Sequence, residues 1–257
     1  MQLTTTPQPR ARHKDWVQTA VLLAMGVYLT FLLISGNLSN YMNSHFHWLV
    51  GVAAGLFFFL GGWNLLIVWR GSAEPHMLDD NLNISHEGHT HTNVSWWAIA
   101  IASLPLVFAL LVPSRPLGAD AVHRISFSPV GVASAASAAR SPLDRNILDW
   151  LREFNRIDNP AAFNGVPARV VGFIYREPYM SDDEFMVARF TISCCVADAF
   201  AIGLPVRMEG AEAYSTGAWV EVEGAFQAGT FDGRAIPILH PTHIELTDIP
   251  ARPYLYP

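Results

Sequence analysis

The chain has 257 residues, 51% of them hydrophobic and only 15% charged, and carries a formal net charge of −6. A soluble domain holds roughly 25% charged residues; here only four basic and five acidic residues precede Ser114, against 12 and 17 from there on, which excludes a single water-soluble globule. The acidic excess of the second half also excludes a general nucleic-acid binder, because a footprint on phosphate needs a basic surface.

The first apolar window, Trp16–Ile34, follows Arg10, Arg12 and Lys14 and runs 19 residues without a charge. Trp48–Trp69 (22 residues) and Ser95–Val112 (18 residues) are equally free of charge. At 1.5 Å per residue these windows reach roughly 27–33 Å, the thickness of a bilayer's hydrocarbon core. Trp16, Trp48, Trp69, Trp96 and Trp97 stand at their ends, where amphipathic rings favour the headgroup level. The pattern predicts three transmembrane helices within a membrane domain over residues 1–113. The first window is too long for a signal-peptide core and lacks a small-x-small cleavage site, so it reads as an anchor. Basic flanks place the N-terminus in the cytoplasm and residues 35–47 outside; three crossings then put everything after Ser114 outside the cytoplasm. Gly51 and Gly55 form a GxxxG pair that predicts close helix packing. With no acidic or basic residue inside any window, the chain is a poor transporter by itself.

Residues 76–91 form a His-rich loop between the second and third windows. His76, His86, His89 and His91 lie near Asp79, Asp80 and Glu87. Neutral imidazoles bind Zn²⁺ and similar ions, so these four histidines are a candidate loop site for a labile metal. The competing reading is a solvated polar loop.

Residues 114–140, rich in Ala, Ser, Gly and Val, read as a linker. Ser141-Pro142-Leu143-Asp144 then predicts a helix start, and Leu143, Ile147, Trp150, Leu151 and Phe154 share one face. Five β-type runs follow: Val166–Tyr175, Glu184–Ser193, Gly203–Met208, Ala218–Phe226 and Ala235–Leu246. Their number and spacing predict a small OB-like barrel within a β-rich extracytoplasmic domain, residues 141–257. The fold class expected is therefore an α+β membrane protein: three transmembrane helices, a linker, one amphipathic helix and a small all-β barrel.

The most singular motif is Cys194-Cys195-Val196-Ala197-Asp198-Ala199. Neighbours on a strand point to opposite faces, so both thiols serve one site only where the strand ends. Three functional readings stay open: a vicinal disulfide switch, a two-thiolate metal site completed by Asp198, or a thiol nucleophile. A fourth is that the cysteines pack as small apolar residues.

VPSRPLGADAVHR, GVPARVVGFIYREP, FMVARFTISCCVADAFAIGLPV, WVEVEGAF and the terminal PYLYP together resemble the YcgQ-like family of bacterial membrane proteins. The resemblance covers Trp16 to Pro257 and is most specific at the CCxxDA positions Cys194, Cys195, Asp198 and Ala199. It implies a permease subunit with a β-rich C-terminal domain, partnered by a larger multi-pass permease and in some bacteria associated with zinc-responsive genes. It implies no catalytic residues. The expected function is thus an auxiliary subunit of a transport system in the cell membrane, linked to zinc. The alternative is a membrane-anchored metal or redox sensor acting through the cysteine pair. No enzymatic activity is expected, since paired carboxylates, a Ser/His/Asp set and a phosphate-cradling glycine loop are not apparent.

Overall fold

The computed structural model describes residues 9–70, 95–122, 125–126 and 140–257. The chain divides into two compact units: Met1–Asn37 with His45–Ser114, and Leu38–Ser44 with Arg115–Pro257. The His-rich loop lies outside the described residues.

The first unit is helical, with α1 (Pro9–Ser35), α2 (His47–Arg70) and α3 (Trp96–Leu111). By length and composition α1 and α2 qualify as membrane-crossing helices, and only 17% and 11% of their apolar windows are buried. Phe59, Trp63 and Trp69 are among the large side chains left exposed. Of the three expected spans, the third falls short: α3 has 16 residues, about 24 Å at 1.5 Å each. The Ser95 side chain caps its first turn, and the chain turns extended at Val112. Close approach between helices occurs at different glycines from those expected. A Cβ on Gly61 would lie 2.7 Å from Leu23, and one on Gly26 would lie 3.2 Å from Phe58. Gly55 faces open space and a Cβ on Gly51 would lie 4.0 Å from Leu33, so the tightest approach of α1 and α2 is not at the GxxxG pair.

The second unit is α+β. Its strands are β1 (Ile125–Ser126), β2 (Pro167–Tyr175), β3 (Glu184–Thr191), β4 (Phe200–Arg207), β5 (Trp219–Phe231) and β6 (Arg234–Leu246). They form one six-stranded sheet in the order β1-β4-β3-β2-β5-β6. Asp232 (φ 48°) and Gly233 (φ 71°) make the tight turn that joins β5 to β6, as a two-residue hairpin requires. A bulge between Glu223 and Gly224 breaks the register of that hairpin. β4 also meets β6, but only through the pair Val206–Leu239. Closure into a barrel needs a continuous ladder, so the expected OB-like barrel appears as a sheet joined at one residue pair.

All eight residues of β3 are buried, because both faces of the sheet are covered there. Phe185 and Val187 pack with Trp150, Leu151 and Phe226, while Ala188 and Phe190 pack on the other side with Phe173, Trp219 and Tyr254. α4 (Ile147–Arg156) covers the first face. It begins later than its sequence suggests. Pro142–Asp144 is a separate 3-10 turn, and Asn146 with Asp149 forms the reciprocal cap that starts the helix. The first part of the expected linker is structured too. Leu117, Ala119 and Val122 pack on the second face, and β1 pairs in parallel with β4 at Ala201 and Ile202.

Candidate thiol-carboxylate site

β3 ends at Thr191, and the chain reaches β4 through Ile192–Ala199 with a 3-10 turn at Val196–Asp198. Asp198 organises this turn. Its carboxylate accepts hydrogen bonds from the backbone N–H groups of Ser193 (2.8 Å), Cys194 (2.7 Å) and Cys195 (3.4 Å). Three converging donors hold the two cysteines off the strand geometry that would send their side chains to opposite faces. The sulfurs consequently lie 3.6 Å apart. Both thiols are free; Cys194 is exposed and Cys195 half-buried. One ligand atom from each of Cys194, Cys195 and Asp198 falls within 4.8 Å of the others.

The charges follow from this geometry. Burial alone would raise the Asp198 carboxyl, but the Cys194 backbone and thiol, with the Ser193 and Cys195 N–H groups, hold it below its ordinary value. The same contact pushes the Cys194 thiol up to about 11, first through its hydrogen bond to Asp198 and then through Cys195. The thiolate is the reactive form of a cysteine, so this contact disfavours Cys194 as a nucleophile. A bound cation has the opposite effect, because it stabilises thiolate beside carboxylate.

Sequence reasoning does not reveal the segment that covers the turn. Leu38–Ser44, which joins α1 to α2, belongs to the same unit as the site. Met42 bridges Cys195 in antiparallel fashion. Asn43 donates from its backbone to the Cys194 carbonyl and from Nδ2 to the Ser193 carbonyl, both at 3.0 Å. The Val196 N–H donates to the Tyr41 carbonyl at 2.9 Å. The C-terminal residues brace the same segment. The Tyr254 hydroxyl donates to the Asn40 carbonyl and accepts from the Leu117 N–H. Buried Arg189, its pKa pushed down to about 10 by burial, donates to the carbonyls of Arg252 and Pro253 and so fixes the chain leading to Tyr254. A polar segment 150 residues away, bound largely through backbone groups, leaves no pattern in the sequence. The histidines of the other candidate site, His76, His86, His89 and His91, lie outside the described residues.

Fold and site together define an α+β protein: an apolar helical unit, and a β-rich unit that presents two thiols and a carboxylate on one braced turn. Its two parts are the DUF1980 N-terminal domain, matched over residues 17–127, and the DUF1980 C-terminal domain, matched over residues 143–257. The chain is also similar to a protein of Streptococcus mutans serotype c named "Putative two-component membrane permease complex subunit". The two are 24% identical over 90% of this chain and 94% of the relative.

Proposed function

We propose that the protein is a non-enzymatic auxiliary subunit of a membrane permease complex that handles a metal ion, zinc in the first instance. The observation that carries this reading is the end-to-end similarity to the Streptococcus mutans protein, whose name describes such a subunit. The apolar windows agree with it: none contains an acidic or basic side chain to carry an ion, so a larger multi-pass partner supplies the pathway. The lipid bilayer is the chain's other partner, and nucleic acid is not one.

A parity argument supports three crossings of the cell membrane. Leu38–Ser44 and the residues from Arg115 onward share one unit and therefore one side of the membrane. A chain that leaves that side through α2 must return before Arg115, and α3 is the apolar segment available. Its 16 residues span through local thinning of the bilayer, a modest cost per ångström of mismatch. Arg10, Arg12 and Lys14 then place the N-terminus in the cytoplasm and the β-rich unit, with its barrel-like sheet, outside.

Purification of the tagged full chain from native membranes in mild detergent tests the partnership. A multi-pass protein recovered in constant ratio is the expected result; a chain that emerges alone from gentle extraction sinks the subunit reading. In that event the grouping of Cys194, Cys195 and Asp198 favours the second reading, a membrane-anchored metal or redox sensor.

A further inference from the structure

Two thiolates bound to one tetrahedral Zn²⁺ at about 2.3 Å each lie about 3.8 Å apart. The Cys194 and Cys195 sulfurs are 3.6 Å apart, against about 2.05 Å in a disulfide, so the turn already holds the spacing of a metal-bound pair. A carboxylate offers about four lone-pair sites; at Asp198 backbone N–H groups occupy three, and the fourth meets the Cys194 thiol, whose proton a metal ion would displace. Three protein ligands on an exposed turn leave a fourth position open to water or another ligand, unlike the closed four-ligand sites of structural zinc.

We propose that Cys194 Sγ, Cys195 Sγ and an Asp198 carboxylate oxygen bind one thiophilic divalent cation, and that Leu38–Ser44 is the element through which its occupancy is read. This rests on the metal-handling part of the reading above and adds the site and its output. The segment grips the ligand turn at consecutive residues. The Cys194 carbonyl, the Ser193 carbonyl and the Val196 N–H are all bonded to Tyr41 or Asn43, and Met42 bridges Cys195. An ion that draws the two sulfurs and the carboxylate to one centre therefore fixes the backbone to which the segment is bonded. The segment also lies in the covalent link between α1 and α2. Binding free energies are reciprocal: if the ion tightens the segment, loosening the segment must weaken the ion by the same factor.

The test uses the full chain in detergent under a non-thiol reductant, in a background where His76, His86, His89 and His91 are replaced by Ala. Zn²⁺ is titrated against a chromophoric chelator, and Cd²⁺ is followed by thiolate-to-metal absorption. One ion per chain is expected, with at least a 100-fold loss of affinity in Cys194→Ser and in Cys195→Ser. Hydrogen exchange in peptides covering residues 38–44 should slow several-fold with Zn²⁺, and should not respond in the serine variants. Asn43→Ala, which removes a bond to the turn but no ligand, should weaken Zn²⁺ about 3- to 10-fold. Absence of stoichiometric binding, or binding indifferent to both serine variants, overturns the site together with the metal reading. Binding that leaves exchange in residues 38–44 unchanged and is unaffected by Asn43→Ala overturns the coupling while the metal reading stands. Recovery of a permease partner depends on neither outcome.

Discussion

The Tyr175 hydroxyl donates to the Glu177 carboxylate at 2.8 Å. Burial, followed by that hydrogen bond, pushes its pKa up to about 12. In the unfolded chain the phenol returns to about 10. Between these values the unfolded state loses a proton that the folded state keeps, so this contribution is fully present below pH 10 and is lost as the pH climbs to 12. Tyr254 and Tyr256, also raised by burial, act in the same direction. Thermal melts of the purified protein at pH 9, 10 and 11 should show a falling Tm, and Tyr175→Phe should flatten part of that fall. Equal slopes for the two proteins would show that the phenol does not titrate differently on folding. Asp198 works by the same kind of local chemistry: a carboxylate satisfied by three N–H donors shapes the turn and sets the neighbouring thiol's charge.

Within the β5–β6 hairpin, Gly224 stands at the bulge, where a Cβ would lie 2.2 Å from the His240 carbonyl oxygen and 2.7 Å from the Pro241 Cα. Both neighbours are backbone, so a side chain must displace a paired strand. Gly224→Val should cost about 1–3 kcal/mol, the usual range for overpacking. Gly118→Ala, with nothing within 4 Å of the added carbon, should melt within a degree or two of wild type. Similar melting of both variants would remove the steric account of the bulge. The strands were legible because apolar alternation and Gly, Pro and Asp punctuation coincide: β2 and β3 begin within a residue of their expected positions. β5 runs on to Phe231 beyond the expected Phe226, because Gln227-Ala228-Gly229-Thr230 carries no apolar alternation and is held by pairing with β6. The late start of α4 has a comparable cause. Ser141-Pro142, the expected start, makes only a 3-10 turn, whereas Asn146 and Asp149 cap each other and Arg140 is bonded to Asp149. At the site, the Cys-Cys-x-x-Asp pattern was readable, whereas the covering segment, held largely through main-chain atoms, was not.

At the scale of the whole chain, the second unit is discontinuous, and its stability should reflect that. A fragment starting at Ser141 lacks Leu117, Ala119 and Val122 from the second core face, and leaves the Tyr254 hydroxyl without both of its partners. A fragment from Arg115 restores Leu117 and the apolar contacts, so it should melt several degrees higher by circular dichroism; equal melting temperatures would show that residues 115–122 add nothing. Topology is the larger consequence. On the three-span reading proposed above, Leu38–Ser44 and Arg115–Pro257 belong to one unit and the two ends of the α2–α3 passage are expected to face the same compartment. On the same proposal the basic flank at Arg10, Arg12 and Lys14 holds the N-terminus in the cytoplasm, which makes that compartment the outside. Alkaline phosphatase fused after Pro257, or inserted at Gly36 just before the segment, should be active, and green fluorescent protein at either position should be dark. Fusion within residues 71–94 should reverse both signals. An active phosphatase in residues 71–94 together with a dark one after Pro257 would invert the orientation. Opposite signals at Gly36 and Pro257 would mean that α3 does not cross and would break the parity on which the three-span reading stands.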